Sequence, residues 1–134
     1  MSCTDPLHPH AVSAAGGESY GHDAAGNQTT RPAGVTVTYT PFDLPRTVTQ
    51  ATDTVTFGYD GDQRRIRKTT PTEETLYFGE WYERVTDQAT AMVVNRYHIH
   101  SPERVVAIVT RGGPKPGTTY VHADHLGPVC HAPV

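Results

Sequence analysis

The side chains best equipped for chemistry cluster in the second half of this chain. His98 and His100 stand two apart, and His122, Asp124, His125, Cys130 and His131 follow. A His-x-His pair on a β-strand puts both imidazoles on one face, a workable start for a zinc site whose remaining ligands would come from the later cluster. The spacing matches no closed zinc pattern, so no metal ligand is assigned. Three carboxylates recur in the first half, each behind a ring: His22-Asp23, Phe42-Asp43 and Tyr59-Asp60. Acid–base hydrolysis needs two carboxylates around one bond, whereas even spacing along the chain places these in separate turns as caps. Neither a Gly-x-Ser-x-Gly nucleophile elbow nor a glycine-rich phosphate loop occurs. No catalytic residue, cofactor or enzymatic activity is therefore expected. Trp81 and Tyr82, in "GEWYERV", offer a sugar-stacking platform, against the plainer expectation that a tryptophan beside strand residues packs in a core or on a sheet face. Asn27-Gln28-Thr29 fits a glycosylation sequon but falls inside a Gly-Asn turn.

What holds these residues is a repeating scaffold of short strands. Apart from Tyr82, the tyrosines Tyr20, Tyr39, Tyr59, Tyr77, Tyr97 and Tyr120 follow one another at intervals of 19, 20, 18, 20 and 23. A period near twenty suits two short strands and two turns and is too short for a strand-helix-strand unit. In "TVTFGYD", Val55, Phe57 and Tyr59 alternate with Thr54, Thr56 and Gly58, and "VTVTY" at Val35–Tyr39 alternates likewise. "RRIRK" reads as a strand with Ile66 buried between charged neighbours, and "VVAIVT", Val105–Thr110, as the most deeply covered strand. The best helical stretch, near Glu83–Met92, lacks an apolar stripe. Turn chemistry fills the gaps at Gly26-Asn27, Asp60-Gly61, Leu44-Pro45 and "GGPKPG", Gly112–Gly117. A leucine-rich repeat is set aside, because the chain has four leucines. Tyrosine before aspartate makes sense at a strand end: the ring stacks on cross-strand neighbours with its hydroxyl at the wet edge, and the carboxylate caps the turn.

Length and charge agree with this picture. The 134 residues suffice for one domain, and twelve glycines and eleven prolines make turns frequent without reaching low complexity. The net charge of −3, with scattered basic residues apart from Arg64–Lys68, implies no nucleic-acid partner. Cys3 and Cys130 form no disulfide framework. No apolar window reaches a membrane span, and "MSCTDPLHPH" has neither the basic start nor the apolar run of an export signal.

With turns and strands assigned, the segment "HPHAVSAAGGESYGHDAAGNQTTR", His8–Arg31, resembles the RHS/YD-repeat proteins, whose repeats read roughly Tyr-Asp-x-x-Gly-Asn. The first copy follows Tyr20, puts His22 before Asp23 and keeps Gly26 and Asn27. A second, "YTPFDLPRTV", starts at Tyr39, puts Phe42 before Asp43 and loses Gly-Asn. The third, "FGYDGDQRRIRK", keeps Tyr59-Asp60. "TLYFGEWYERVT", "NRYHIHSPERVVAIVTR" and "TYVHADHLGPV" are similar to the core segment that follows the repeats, with Asp124, His125, Leu126 and Gly127 as its signature; the family usually has Ser where Pro128 stands.

The resemblance covers about residues 8–129. It implies an all-β fold of consecutive antiparallel β-hairpins, part of a spiral or shell wall, without substantial helix. It also implies a layout: residues 1–19 a partly irregular lead-in, 20–75 YD-type repeats, 76–129 a core-like β segment and 130–134 a divergent tail. In the family the spiral closes around a carboxy-terminal toxic domain, which a self-cleavage segment beyond "DHLG" releases. This chain, as written, contains neither that segment nor a toxin, so the expected function is structural, as a truncated strip of wall. Expected partners are other RHS-repeat segments or an RHS-linked toxin domain, with self-association through uncovered strand edges and one uncovered apolar face. The alternative is an extracellular module that binds carbohydrate or another surface component. Family members are secreted or lie at the cell surface, which leaves the location of this chain open.

Overall fold

The structure is a computed structural model that describes residues 11–124 and 127–131. It is all-β, built from consecutive antiparallel hairpins, and among the described residues its only helical piece is a single 3-10 turn, Pro32–Gly34. Two compact units, Met1–Arg64 and Arg65–Val134, divide the chain. The division falls inside the stretch that the resemblance assigns to repeats.

In the first unit, β1 (Ala14–Ala15) and β2 (Glu18–Ser19) pair across Gly16 and Gly17, whose positive φ angles of 63° and 86° close the turn. Next come β3 (Gly21–His22), β4 (Gln28–Arg31), β5 (Val35–Tyr39), β6 (Pro45–Gln50) and β7 (Asp53–Tyr59), each pairing antiparallel with the next. Three of these strands carry Thr-Val-Thr in register. Val37 opposes Val48, which opposes Val55, while Thr36–Thr49–Thr54 and Thr38–Thr47–Thr56 form two rows on the other face. Hydroxyl contacts of 2.6 Å between Thr38 and Thr47 and 3.0 Å between Thr49 and Thr54 tie these rows together. Pro45 is tolerated because it opens its strand beside a register shift at Thr38/Tyr39.

In the second unit, β8 (Arg65–Thr69), β9 (Glu73–Phe78), β10 (Tyr82–Asp87), β11 (Val93–His100), β12 (Val105–Arg111), β13 (Gly117–Asp124) and β14 (Gly127–His131) follow the same up-and-down order. Substantial contacts in this unit run only between strands adjacent in sequence. Strands that contact only their sequence neighbours bury little. Among the described residues, only Val37, Thr75, Val85 and Ala107 are buried, with Thr75 directly opposite Val85.

One burial expectation is corrected by this arrangement. Ile66, expected inside, is 43% exposed, its face of β8 open to solvent among the described residues. "VVAIVT" is covered along its whole length, with Ala107 buried and its neighbours half-buried. The stretch Glu83–Met92 is strand and turn, as its missing apolar stripe requires.

Candidate functional site

The described residues converge on no reactive centre. What recurs is one five-residue turn, used three times, whose first residue caps it. At Asp23, the backbone N–H donates to Asn27 O (2.9 Å), and Gly26 N donates back to Asp23 O (3.0 Å). The Asp23 carboxylate accepts from Ala25 N and Asn27 N at 3.0 and 2.9 Å. Asp60 repeats every bond: its N–H donates to Arg64 O, Gln63 N donates to its O, and its Oδ1 accepts from Asp62 N and Arg64 N. The middle copy is built on Thr40, with Thr40 N to Leu44 O, Asp43 N to Thr40 O and Leu44 N to Thr40 Oγ1 (3.1 Å). The fourth residue of each turn has positive φ: Gly26 at 90°, Asp43 at 62°, Gln63 at 65°. This matches a type I turn followed by a left-handed residue, a common three-residue hairpin loop.

Asp43 is therefore corrected from cap to left-handed position, and the cap of the second copy is Thr40. The repeat is Tyr39-Thr40, aligned with Tyr59-Asp60, and Phe42-Asp43 is the body of the turn. Sequence reasoning also passed over Asp87, whose Oδ1 accepts from Ala89 N, Thr90 N and Thr90 Oγ1 in a turn one residue longer. The common signal is a short oxygen-bearing side chain three or four residues ahead of the left-handed position.

The tyrosine before the second and third caps has a definite task. Tyr39 donates its hydroxyl to Gln28 O at 2.9 Å, and Tyr59 donates to Pro45 O at 2.8 Å. Gln28 and Pro45 are each the fifth residue after the previous cap, so every such tyrosine latches its own turn to the preceding one. The hydroxyl is satisfied by backbone and not left at the wet edge. Two side-chain contacts strengthen the same link: Asn27 Nδ2 donates to Asp23 Oδ2 (3.2 Å) and Asp43 Oδ1 (2.7 Å), and the Phe42 ring stands edge-on to Tyr59 at 6.2 Å. The sequon asparagine is thus committed to two carboxylates. Tyr20 is placed differently, its N–H donating to Ser13 O at the first hairpin.

Electrostatics follow the caps. The backbone N–H of Asn27, foremost among several donors, holds the Asp23 carboxyl below its ordinary value of 3.8. Asp87 is lowered as well, chiefly by the Thr90 hydroxyl. Burial pushes the Tyr77 hydroxyl up, while the Arg65 guanidinium, 4.7 Å over its ring, works in the opposite direction.

Trp81 and Tyr82 do not form one platform. Successive residues of a strand point to opposite faces. The Trp81 ring, 63% exposed, lies 4.4 Å from His100, whereas Tyr82 sits between Phe78 and Tyr97 at 5.2 and 5.1 Å. The exposure also rules out a core role for Trp81. His98 faces Glu83 (3.8 Å), which Arg96 approaches at 3.6 Å, and His100 Nε2 lies 3.0 Å from Glu80 O. Among the described residues, no group of three or more potential ligands is placed to hold a metal ion. Asp124 pairs with Gly127 across β13 and β14, while His125 and Leu126 lie outside the described residues. No described helix is long and apolar enough to cross a membrane.

No family model matches the chain, and neither does any curated protein.

Proposed function

We propose that this chain is a structural β-repeat segment of the RHS/YD type, a strip of wall that in a larger assembly helps enclose a toxic polypeptide. The observation that carries the reading is the latch: Tyr39 and Tyr59 each tie a capped turn to the one before it, by the same bond at the same offset. Such a device propagates a sheet from repeat to repeat and supplies no substrate site. In this reading Tyr39, Asp23, Asp60, Gly26 and Asn27 are scaffold residues, the protein is not an enzyme, and its partners are further repeat segments or the enclosed polypeptide.

The test is a double variant, Tyr39→Phe with Tyr59→Phe, followed by thermal melting. A clear loss of stability with strand content retained at low temperature supports the scaffold. An unchanged melt means the latches are idle, and the reading fails.

One observation favours a second reading, an extracellular carbohydrate- or surface-binding module: Trp81 is exposed, with its ring tilted against His100. A glycan array decides it. Signal above an unrelated β protein that disappears in Trp81→Ala would replace the wall by the binding module, and silence would retire the module.

A further inference from the structure

In the second unit four of the large exposed apolar side chains, Phe78, Tyr97, Ile99 and Tyr120, share one face. Phe78, Tyr82, Tyr97 and Val109 oppose one another in a single row across β9 to β12, and Ile99, Ala107 and Tyr120 form the next row on the same side. Phe78 is 53% exposed, Tyr97 43%, Ile99 46% and Tyr120 63%. Trp81, His98 and Glu83 belong to the opposite face, because they alternate with Tyr82 and Tyr97 along β10 and β11 and its approach. A side chain of aromatic size buries about 150–250 Å², so three half-exposed rings and one isoleucine leave roughly 400 Å² of contiguous apolar surface. That lies within the range that usually marks a functional patch. It is also about half of the roughly 800 Å² that each partner contributes to a standard interface, the proportion expected of an apolar centre inside a polar rim. Arg84, Asn95, Arg111 and Thr118 supply such a rim on the same face.

We propose that this aromatic face is the interface between two copies of the chain, packed sheet on sheet. With its rim included, the area is what each partner of a standard dimer interface contributes. A sheet face with this much exposed apolar surface gains from a second layer, and among the described residues no strand of its own unit makes substantial contacts across it. The same face of a second copy presents an apolar centre of equal extent, and a two-fold pairing uses one patch twice. Aromatic rows that meet in this way engage edge-to-face or offset. The proposal does not rest on the wall reading, since it concerns β9 to β13 and not the latched turns.

The experiment is sedimentation of the full chain over a wide concentration range, with three variants. The wild type is expected to be a dimer with micromolar dissociation. Tyr97→Lys combined with Tyr120→Lys, both at exposed positions, is expected to weaken it by about a hundredfold, since central aromatic anchors dominate such interfaces. Phe78→Lys serves as an independent second disruption should the first variant lose its circular dichroism spectrum. Trp81→Lys, on the opposite face, should leave the dimer unchanged. A monomeric wild type overturns the proposal, and so do open-ended oligomers. Dimers that persist in both disrupted variants, or that Trp81→Lys dissolves equally well, point to edge pairing or to the other face and overturn it too.

Discussion

A backbone cap and a phenolic hydroxyl set the character of this chain at the level of single residues. Deleting the Tyr59 hydroxyl removes one hydrogen bond to Pro45 O, with an expected cost of about 0.5–1.5 kcal/mol. A Tyr59→Phe melt should show a drop of several degrees. The cap at Asp23 makes a pH prediction whose sign is fixed by its lowered pKa. A carboxyl depressed in the folded state contributes stability that is present above the ordinary value of 3.8 and lost as pH falls below it. Urea denaturation below that value should therefore show Asp23→Asn losing less stability than the wild type, and parity between the two down to the lowest pH would sink the idea.

Strands and their loops obey different rules. The loop "GGPKPG" folds back over β11: Gly112 has φ of 76°, and a Cβ there would stand 2.5 Å from Val93 O. Gly112→Ala meets both backbone strain and a collision with immovable backbone, so an expected loss of about 1 kcal/mol or more is measurable by denaturation. Ile66 is the contrasting case. Its apolar side chain stands among arginines on β8 but is half in water, so Ile66→Thr should change stability by less than about 0.5 kcal/mol. A large loss there would mean that something covers β8 in solution.

Taken as a whole, the molecule spends its sequence on pairing strands and little on a core. Four buried residues among those described is a small number, because sequential hairpins place neighbours side by side and the substantial contacts run mostly between adjacent strands. Denaturant sensitivity scales with the surface exposed on unfolding. The urea m-value of the separated chains should lie near the lower end of the roughly 1–3 kcal/mol/M range for small proteins. A value at the upper end would reveal burial that the two units do not contain.

The sequence by itself determined the all-β class, the period near twenty and the turn positions at Gly26 and Asp60. Period-two alternation and positive-φ residues are local properties, and antiparallel neighbours need nothing more than a short loop to find each other. Only the tertiary structure decided that Thr40 and not Asp43 caps the second turn, since both residue types suit a cap and the register of Tyr39 settles which is used. It alone placed Ile66 in solvent, parted Trp81 from Tyr82 and gathered Phe78, Tyr97 and Tyr120 on one face. Alternation tells which side chains share a side of a strand, whereas burial depends on what lies above that side, and rows across strands depend on the register of each successive pairing from β9 to β13.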